Sequence, residues 1–372
     1  MHPSHSPATL VGTDNRRRLK RIAFSILAVL LPLLAMESIS RIVWHTCVYQ
    51  QPSNEKLNAM IFWEEAWKKD IPYMFTPNSQ GRIASASTHI NSLGLRGADV
   101  DLASSNRRIF CIGDSVTFGY TASSDLQTYP ALLERQLRDR GRAEIVMNGG
   151  MPRYRTDHMA NYYQRYVSVL TPQYVVILGG WNDLNDYVLL PSSDTSSAKL
   201  YRWAAEQIYT VKLAVKAAQY LRPKMENPDL RPSAYVAPEG YDRFERNLTH
   251  LLQLVHQSHA TAYVCTIPHA YGATETLSMQ EKLKLVDAAP CGKLGQIRDA
   301  VEEFNRRIRR VAQCCNATVI DCSSVNRVDY FADAIHPNDL GDLMIARLVA
   351  HALAADLQAA DKLGNPRPVG GL

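Results

Sequence analysis

Three short stretches of this chain carry side chains that could act together on an acyl group. Gly113-Asp114-Ser115 stands where an apolar run meets a turn, and a serine placed there is a candidate nucleophile. Asp333-Ala334-Ile335-His336 lies more than two hundred residues later. An Asp three residues before a His supplies two groups from one loop. His336 would take the serine proton, and Asp333 would fix its tautomer and stabilise the imidazolium. Between these lies Gly179-Gly180-Trp181-Asn182-Asp183. The Asn182 amide could donate to an oxyanion, and one such donor is worth roughly 3–4 kcal/mol in the transition state. Asn182 and Asp183 could instead only cap the next segment.

These residues need a frame that brings them together. Apolar, β-rich runs occur at 109–112, 145–147, 174–178, 262–267 and 318–321. Amphipathic stretches at 129–140, 244–256 and 297–312 alternate with them. Alternating strands and helices predict a mostly parallel sheet of five strands, covered by helices on both faces: a three-layer α/β/α sandwich. Ligands in such sheets bind beyond the C-terminal strand ends. Ser115 and Asn182 follow such ends closely, and His336 comes after the last strand. Gly113 permits the tight turn that would place Ser115 at a helix N-terminus, where developing negative charge is favoured.

The chain has 372 residues, 46% of them apolar and 21% charged, which suits a globular protein. Mean hydropathy of −0.21 excludes a polytopic membrane protein. The formal charge is +5, and the first 21 residues carry +4 of it through Arg16, Arg17, Arg18, Lys20 and Arg21 against Asp14. The rest is nearly neutral, so no nucleic-acid surface is expected. The basic cluster precedes an apolar run, Ile22 to Met36, which reaches the roughly 20 residues of a membrane span only by including Glu37 and Arg41. Those two are spaced to pair at i,i+4. The basic end should stay in the cytoplasm and the rest be exported. An uncleaved anchor is preferred over a cleaved signal, because Ser38-Ile39-Ser40 is a poor cleavage site.

The expected organisation is a basic N-terminus (1–21), a membrane segment (22–44), a linker (45–104), the catalytic domain (105–356) and a flexible tail (357–372). Residues 91–97, Asn-Ser-Leu-Gly-Leu-Arg-Gly, read as a turn-rich approach to the domain. An insertion at 185–240 holds a polar stretch (192–197), an amphipathic helix near 200–221 and a proline-rich return. It would form either a lid or substrate wall, or a helical pair on the sheet edge. Of seven cysteines, Cys111 and Cys265 should pack as small hydrophobes, and the odd count prevents a disulfide assignment.

The three stretches resemble the GDSL family of esterases and lipases, in the SGNH hydrolase superfamily. The nucleophile block matches as Gly113-Asp114-Ser115-Val116-Thr117-Phe118-Gly119, the second as Gly180-Trp181-Asn182-Asp183, and the last as Asp333-Ala334-Ile335-His336-Pro337. The resemblance covers about residues 105–355, and the N-terminus is similar to that of membrane-anchored bacterial members. It implies a flavodoxin-like SGNH fold and attack of Ser115 on a carboxylic ester of a lipid, an O-acylated glycan or a small molecule. Neither metal nor organic cofactor is implied. The oxyanion would be held by the Ser115 N–H, the Asn182 side chain and one more backbone N–H. The chain departs from the family here. The position where the family has an oxyanion glycine falls on Arg153, and Gly150 is the alternative. Gly113, Asp114, Gly180 and Asp183 would support the site. Transfer of the acyl group to a polysaccharide hydroxyl, and a non-catalytic glycan-binding domain, are the other readings the motifs permit.

Overall fold

The computed structural model describes residues 11–44, 46, 61–62, 70–83, 86–191, 204, 207–214, 228–272, 276–286 and 289–362. The chain forms two compact units. One comprises Met1–Gln51 with Thr195–Met225, and the other Pro52–Asp194 with Glu226–Leu372.

The larger unit contains an antiparallel hairpin, β1 (Ser79–Ile83) and β2 (Ala86–Ile90), and a sheet of five strands. The sheet strands are β3 (Arg108–Gly113), β4 (Ile145–Gly150), β5 (Tyr174–Leu178), β6 (Thr261–Cys265) and β7 (Thr318–Ile320). They run parallel in the order β7-β6-β5-β3-β4. All five residues of β5 are buried, as expected of a central strand covered on both faces. The register sets Gly113 level with Gly150 on one side and Leu178 on the other. Three loops therefore leave the sheet at one height.

In the smaller unit, α1 (Val11–Val43) is a single helix. Lying between β3 and β7 are α2 (Ser115–Phe118), α3 (Tyr129–Asp139), α4 (Thr156–Tyr162), α5 (Pro238–Gln257) and α6 (Leu294–Cys314); α7 (Asp339–Lys362) follows β7. α3 packs on α7, while α4 and α6 both pack on α5, giving a helical layer on each side of the sheet. The helices form because their apolar residues recur every three or four positions. α6 buries Ile297, Val301, Phe304, Ile308 and Val311. Phe304 meets Phe244 of α5 with ring centroids 4.4 Å apart. Each such side chain contributes roughly 1.5–3 kcal/mol of burial.

The expected linker is partly domain. Ile71, Phe75, Ile83, Ile90 and Leu95 are buried, and Phe75 stacks on Phe118 at 5.1 Å. The alternation in β2 is carried by Ala86, Thr88 and Ile90 facing inward, and two of these are not apolar enough to read as a strand. The expected tail also begins later. α7 runs to Lys362, and Asp361 pairs with Arg107 at 2.6 Å and Arg142 at 2.8 Å.

In the smaller unit, α1 includes a 24-residue stretch, Lys20–Val43, within which an 18-residue window has mean hydropathy 2.2 and no buried residue. It is long and apolar enough to cross a membrane. α7 matches that length but is less apolar, with a best window of mean hydropathy 1.3, and it buries Ile345, Val349, Leu353 and Leu357 in its own domain. Glu37 and Arg41 both turn to the middle of the insertion. Glu37 accepts from Tyr209 N (2.7 Å), Thr210 N (3.0 Å) and Thr210 Oγ1 (2.9 Å), and the Arg41 guanidinium lies 4.8 Å over the Tyr209 ring. This part of the insertion thus belongs with α1. The polar stretch 192–197 lies outside the described residues, as do Cys47 and most of the 200–221 helix. The ends of the insertion pair as Leu189–Pro191 with Ala234–Val236 in the larger unit. The six described cysteines are free thiols, with Cys111 and Cys265 buried.

Candidate active site

Ser115 opens α2, one turn of helix directly after β3. The turn is tight because Gly113 is hemmed in: a Cβ there would lie 2.0 Å from Leu178 O and 2.1 Å from Thr117 Oγ1. Asp114 caps the turn, with Oδ1 accepting from Val116 N at 2.9 Å. Gly119, at φ +77°, ends it, and its N–H donates to Ser115 O and Val116 O. The Ser115 N–H sits in a first helical turn, where it has no intrahelical acceptor. Burial of Asp114 pushes its carboxyl up to about 6, against the hydrogen bond from Val116.

His336 Nε2 lies 2.9 Å from Ser115 Oγ, and His336 Nδ1 lies 2.7 Å from Asp333 Oδ2. The other Asp333 oxygen accepts from the backbone N–H of Ile335 and of His336, each at 2.8 Å. Burial raises the Asp333 carboxyl, but the His336 and backbone donors outweigh it and hold the group below the usual carboxylate range. It is therefore ionised at neutral pH and favours a proton on Nδ1 of the imidazole, leaving Nε2 to face the serine. Tyr120 packs beside the His336 ring with centroids 5.0 Å apart.

The two loops on either side of the nucleophile are tied to one another. After β5, Gly180 takes φ +127° and Asn182 donates from Nδ2 to Tyr154 O at 3.0 Å. An amide nitrogen carries two protons, so one remains free. Asp183 is fully buried and accepts from Thr156 N (3.0 Å) and Thr156 Oγ1 (2.6 Å). Burial pushes Asp183 up to about 7, against these donors. After β4, Met151 N donates to Gly113 O at 3.0 Å. Residues 151–154 thus run from the nucleophile turn to Asn182, and Arg153 lies between, exposed and at φ +65°.

One expected donor is corrected. The Gly150 N–H is already engaged, donating to Asn148 Oδ1 at 3.0 Å. Gly150 is a glycine for want of space: a Cβ would lie 2.0 Å from Phe118 N. Among the described residues the Arg153 N–H has no partner. Arg153 takes the left-handed backbone that glycine adopts without cost, at φ +65°. The structure brings Ser115, His336 and Asp333 into one hydrogen-bonded chain. It sets Arg153 and Asn182 on the two loops flanking Ser115. Gly113, Asp114, Gly180 and Asp183 shape and anchor those turns. Thr156, Tyr154 and Tyr120 also belong to the site, and nothing in their sequence setting marks them.

A parallel α/β/α sandwich with serine, histidine and aspartate linked beyond its strand ends defines a class of hydrolase. The pattern of the GDSL-like lipase/acylhydrolase family matches residues 111–342. The chain belongs to that family and is an ester-hydrolysing enzyme. No curated protein matches it in sequence. Among solved structures it is similar to the acetyl xylan esterase AlAXEase, with 17% identity and TM-score 0.42 over 66% of this chain and 99% of that one. It is similar to the lipase/acylhydrolase from Enterococcus faecalis at 18% identity and TM-score 0.42, over 67% and 96%. It is also similar to Axe2, an acetylxylan esterase from Geobacillus stearothermophilus, at 16% identity and TM-score 0.42, over 68% and 96%.

Proposed function

We propose that the enzyme is a membrane-tethered serine esterase that works through an acyl-enzyme on Ser115. The observation that carries this reading is the chain Ser115 Oγ to His336 Nε2 (2.9 Å) and His336 Nδ1 to Asp333 Oδ2 (2.7 Å). His336 takes the Ser115 proton as Oγ bonds to the ester carbonyl carbon. The negative charge that forms on the carbonyl oxygen is met by the N–H groups of Ser115 and Arg153 and by the free Asn182 proton. The tetrahedral intermediate collapses, and the leaving alcohol departs with the proton held by His336. Water then attacks the acyl-Ser115 ester, giving its proton to His336, and the released serine recovers one. Asp333 stays ionised throughout and stabilises the imidazolium each time it forms.

The substrate is a carboxylic ester carried by a lipid, an O-acylated glycan or a small molecule. α1 spans the plasma membrane with the basic cluster on the cytoplasmic side, and the catalytic unit works outside. The test is an ester panel, from p-nitrophenyl acetate to longer acyl chains and acetylated oligosaccharides, comparing wild type with Ser115→Ala. A loss of at least roughly 10³-fold is expected on removing the nucleophile. Equal rates in the two proteins would end the reading.

A further inference from the structure

We propose that Arg96 is a positioning residue for this reaction, acting by holding the C-terminal end of the nucleophile turn and, through it, the Ser115–His336 alignment. The inference rests on the reading of Ser115 as nucleophile.

The Arg96 side chain is 1% exposed and sits directly under α2. Its Nη1 donates to Phe118 O at 3.0 Å and Gly119 O at 2.6 Å. Its Nε donates to Asp125 Oδ1 at 2.7 Å, and the guanidinium carbon lies 4.7 Å over the Phe118 ring. These carbonyls end the one-turn helix, where intrahelical donors run out. Neutral donors reach each of them, Asn148 Nδ2 to Phe118 O at 3.4 Å and Ala122 N to Gly119 O at 3.1 Å. Arg96 adds a charged donor to both, and a charge-assisted bond is the stronger one.

The segment that delivers Arg96 is built for it. Asn91 Oδ1 accepts from Leu93 N and Leu95 N, each at 3.0 Å, and Asn91 N donates to Leu95 O at 2.8 Å. Gly94, at φ +75°, completes this loop, and a Cβ there would lie 3.2 Å from Phe75 O. Arg96 N then donates to Asn148 O at 3.3 Å, on the strand that leads to Arg153. One residue thus touches the nucleophile turn through its side chain and the oxyanion strand through its backbone.

The path onward to the base is short. Gly119 O, held by Arg96, belongs to the peptide bond that leads into Tyr120, whose ring packs beside His336. The next residue, Thr121, donates from Oγ1 to Pro337 O at 2.7 Å, immediately after the base. Asp342, buried in the first turn of α7, also lies within the field of the guanidinium. Release of the 118–119 carbonyls would therefore let Ser115, Tyr120 and His336 drift relative to one another. A lysine cannot replace the fork, because one ammonium cannot reach both carbonyls and Asp125 in this geometry.

The experiment uses the full chain in detergent, with p-nitrophenyl acetate as the probe and folding followed by circular dichroism and Tm. Arg96→Ala and Arg96→Lys are each made in the wild-type and the Ser115→Ala backgrounds. In the wild-type background, Arg96→Ala is expected to lower kcat about 10²-fold, the cost of roughly an ångström of misalignment. KM should move less than about twofold, and Arg96→Lys should retain part of the rate. In the Ser115→Ala background, the same change should cost nothing further, since its route runs through the nucleophile. If Arg96→Ala does not fold, the Arg96→Lys pair decides alone. A folded Arg96 variant with wild-type kcat would overturn the inference. So would a loss confined to KM, or an equal loss with and without Ser115. If Ser115→Ala keeps its activity, the serine reading falls instead, which separates the two failures.

Discussion

Replacing Asn182 by alanine separates the oxyanion role of this residue from its structural hydrogen bond to Tyr154 O. Among the described residues the Asn182 side chain makes one hydrogen bond, from Nδ2 to Tyr154 O at 3.0 Å, in a half-buried position. Its loss should cost stability by about 1 kcal/mol, the net value of an ordinary hydrogen bond. A domain of ordinary stability, 5–15 kcal/mol, stays more than 99% folded after such a loss, by an order-of-magnitude reckoning. The second Nδ2 proton is the one the mechanism uses. Removing one oxyanion donor costs about 10²–10³ in kcat, or roughly 2.7–4 kcal/mol. The charge it meets exists only in the transition state, so KM should hardly change. The measurement is kcat and KM on p-nitrophenyl acetate beside Tm for wild type, Asn182→Ala and Asn182→Asp. The aspartate should be no better than the alanine, since it has no proton to give and repels the oxyanion. A folded Asn182→Ala with kcat within about fivefold of wild type would refute the reasoning, because fivefold is about 1 kcal/mol and roughly two-thirds of the lower bound on the effect would be missing.

Gly150→Ala should be among the most damaging single-methyl changes in the protein. The new Cβ would lie 2.0 Å from Phe118 N and 2.5 Å from Phe118 Cα and Thr117 C, all backbone atoms of the nucleophile turn. A destabilisation of roughly 1–3 kcal/mol, read as a fall in Tm, should accompany loss of esterase activity, and an unchanged Tm with full activity would show that the turn yields freely. Proteinase K added to cells with a permeabilised outer membrane should degrade the 105–356 region while sparing an N-terminal cytoplasmic tag. Protection of the catalytic region would defeat the proposed topology.

The site residues were legible because chemistry is concentrated in them. Gly113 to Ser115 and Asp333 to His336 combine reactive side chains at fixed spacing, and each follows or ends a recognisable element. The sheet was legible because β5, Tyr-Val-Val-Ile-Leu, has no polar residue to break its run. The hairpin was not, because a buried Thr88 and Ala86 hide its alternation. α4 was not, because its seven residues include Asp157, His158 and Asn161 and present too short an apolar stripe. The choice between Gly150 and Arg153 was beyond any reading of residue type. The glycine at 150 marks a close backbone approach and not an available N–H. The position with the glycine-like backbone carries an arginine. Arg96 lay in a segment that read only as a turn, since nothing local shows that a charged side chain points inward.

The sheet and the loops do different parts of the positioning. Ser115, Arg153 and Asn182 leave neighbouring strands β3, β4 and β5 at one level, so strand spacing alone sets Ser115 between its two flanking donors. His336 has no such support. It follows β7, the edge strand three places from β3, which is about 14 Å away at roughly 4.8 Å per strand. The chain from Ile320 to His336 must cross β6 and β5 to reach the serine. A loop of that reach fixes nothing by itself. What holds it is a set of clips to the loop beyond the nucleophile: Thr121 Oγ1 to Pro337 O, and Ser123 N to Asp339 Oδ1 at 2.8 Å. The accuracy of the serine–imidazole contact therefore depends on residues 119–125, and these are the residues Arg96 grips from beneath at Gly119 and Asp125. Sheet geometry supplies the anion site, and a buried guanidinium with two loop clips supplies the base.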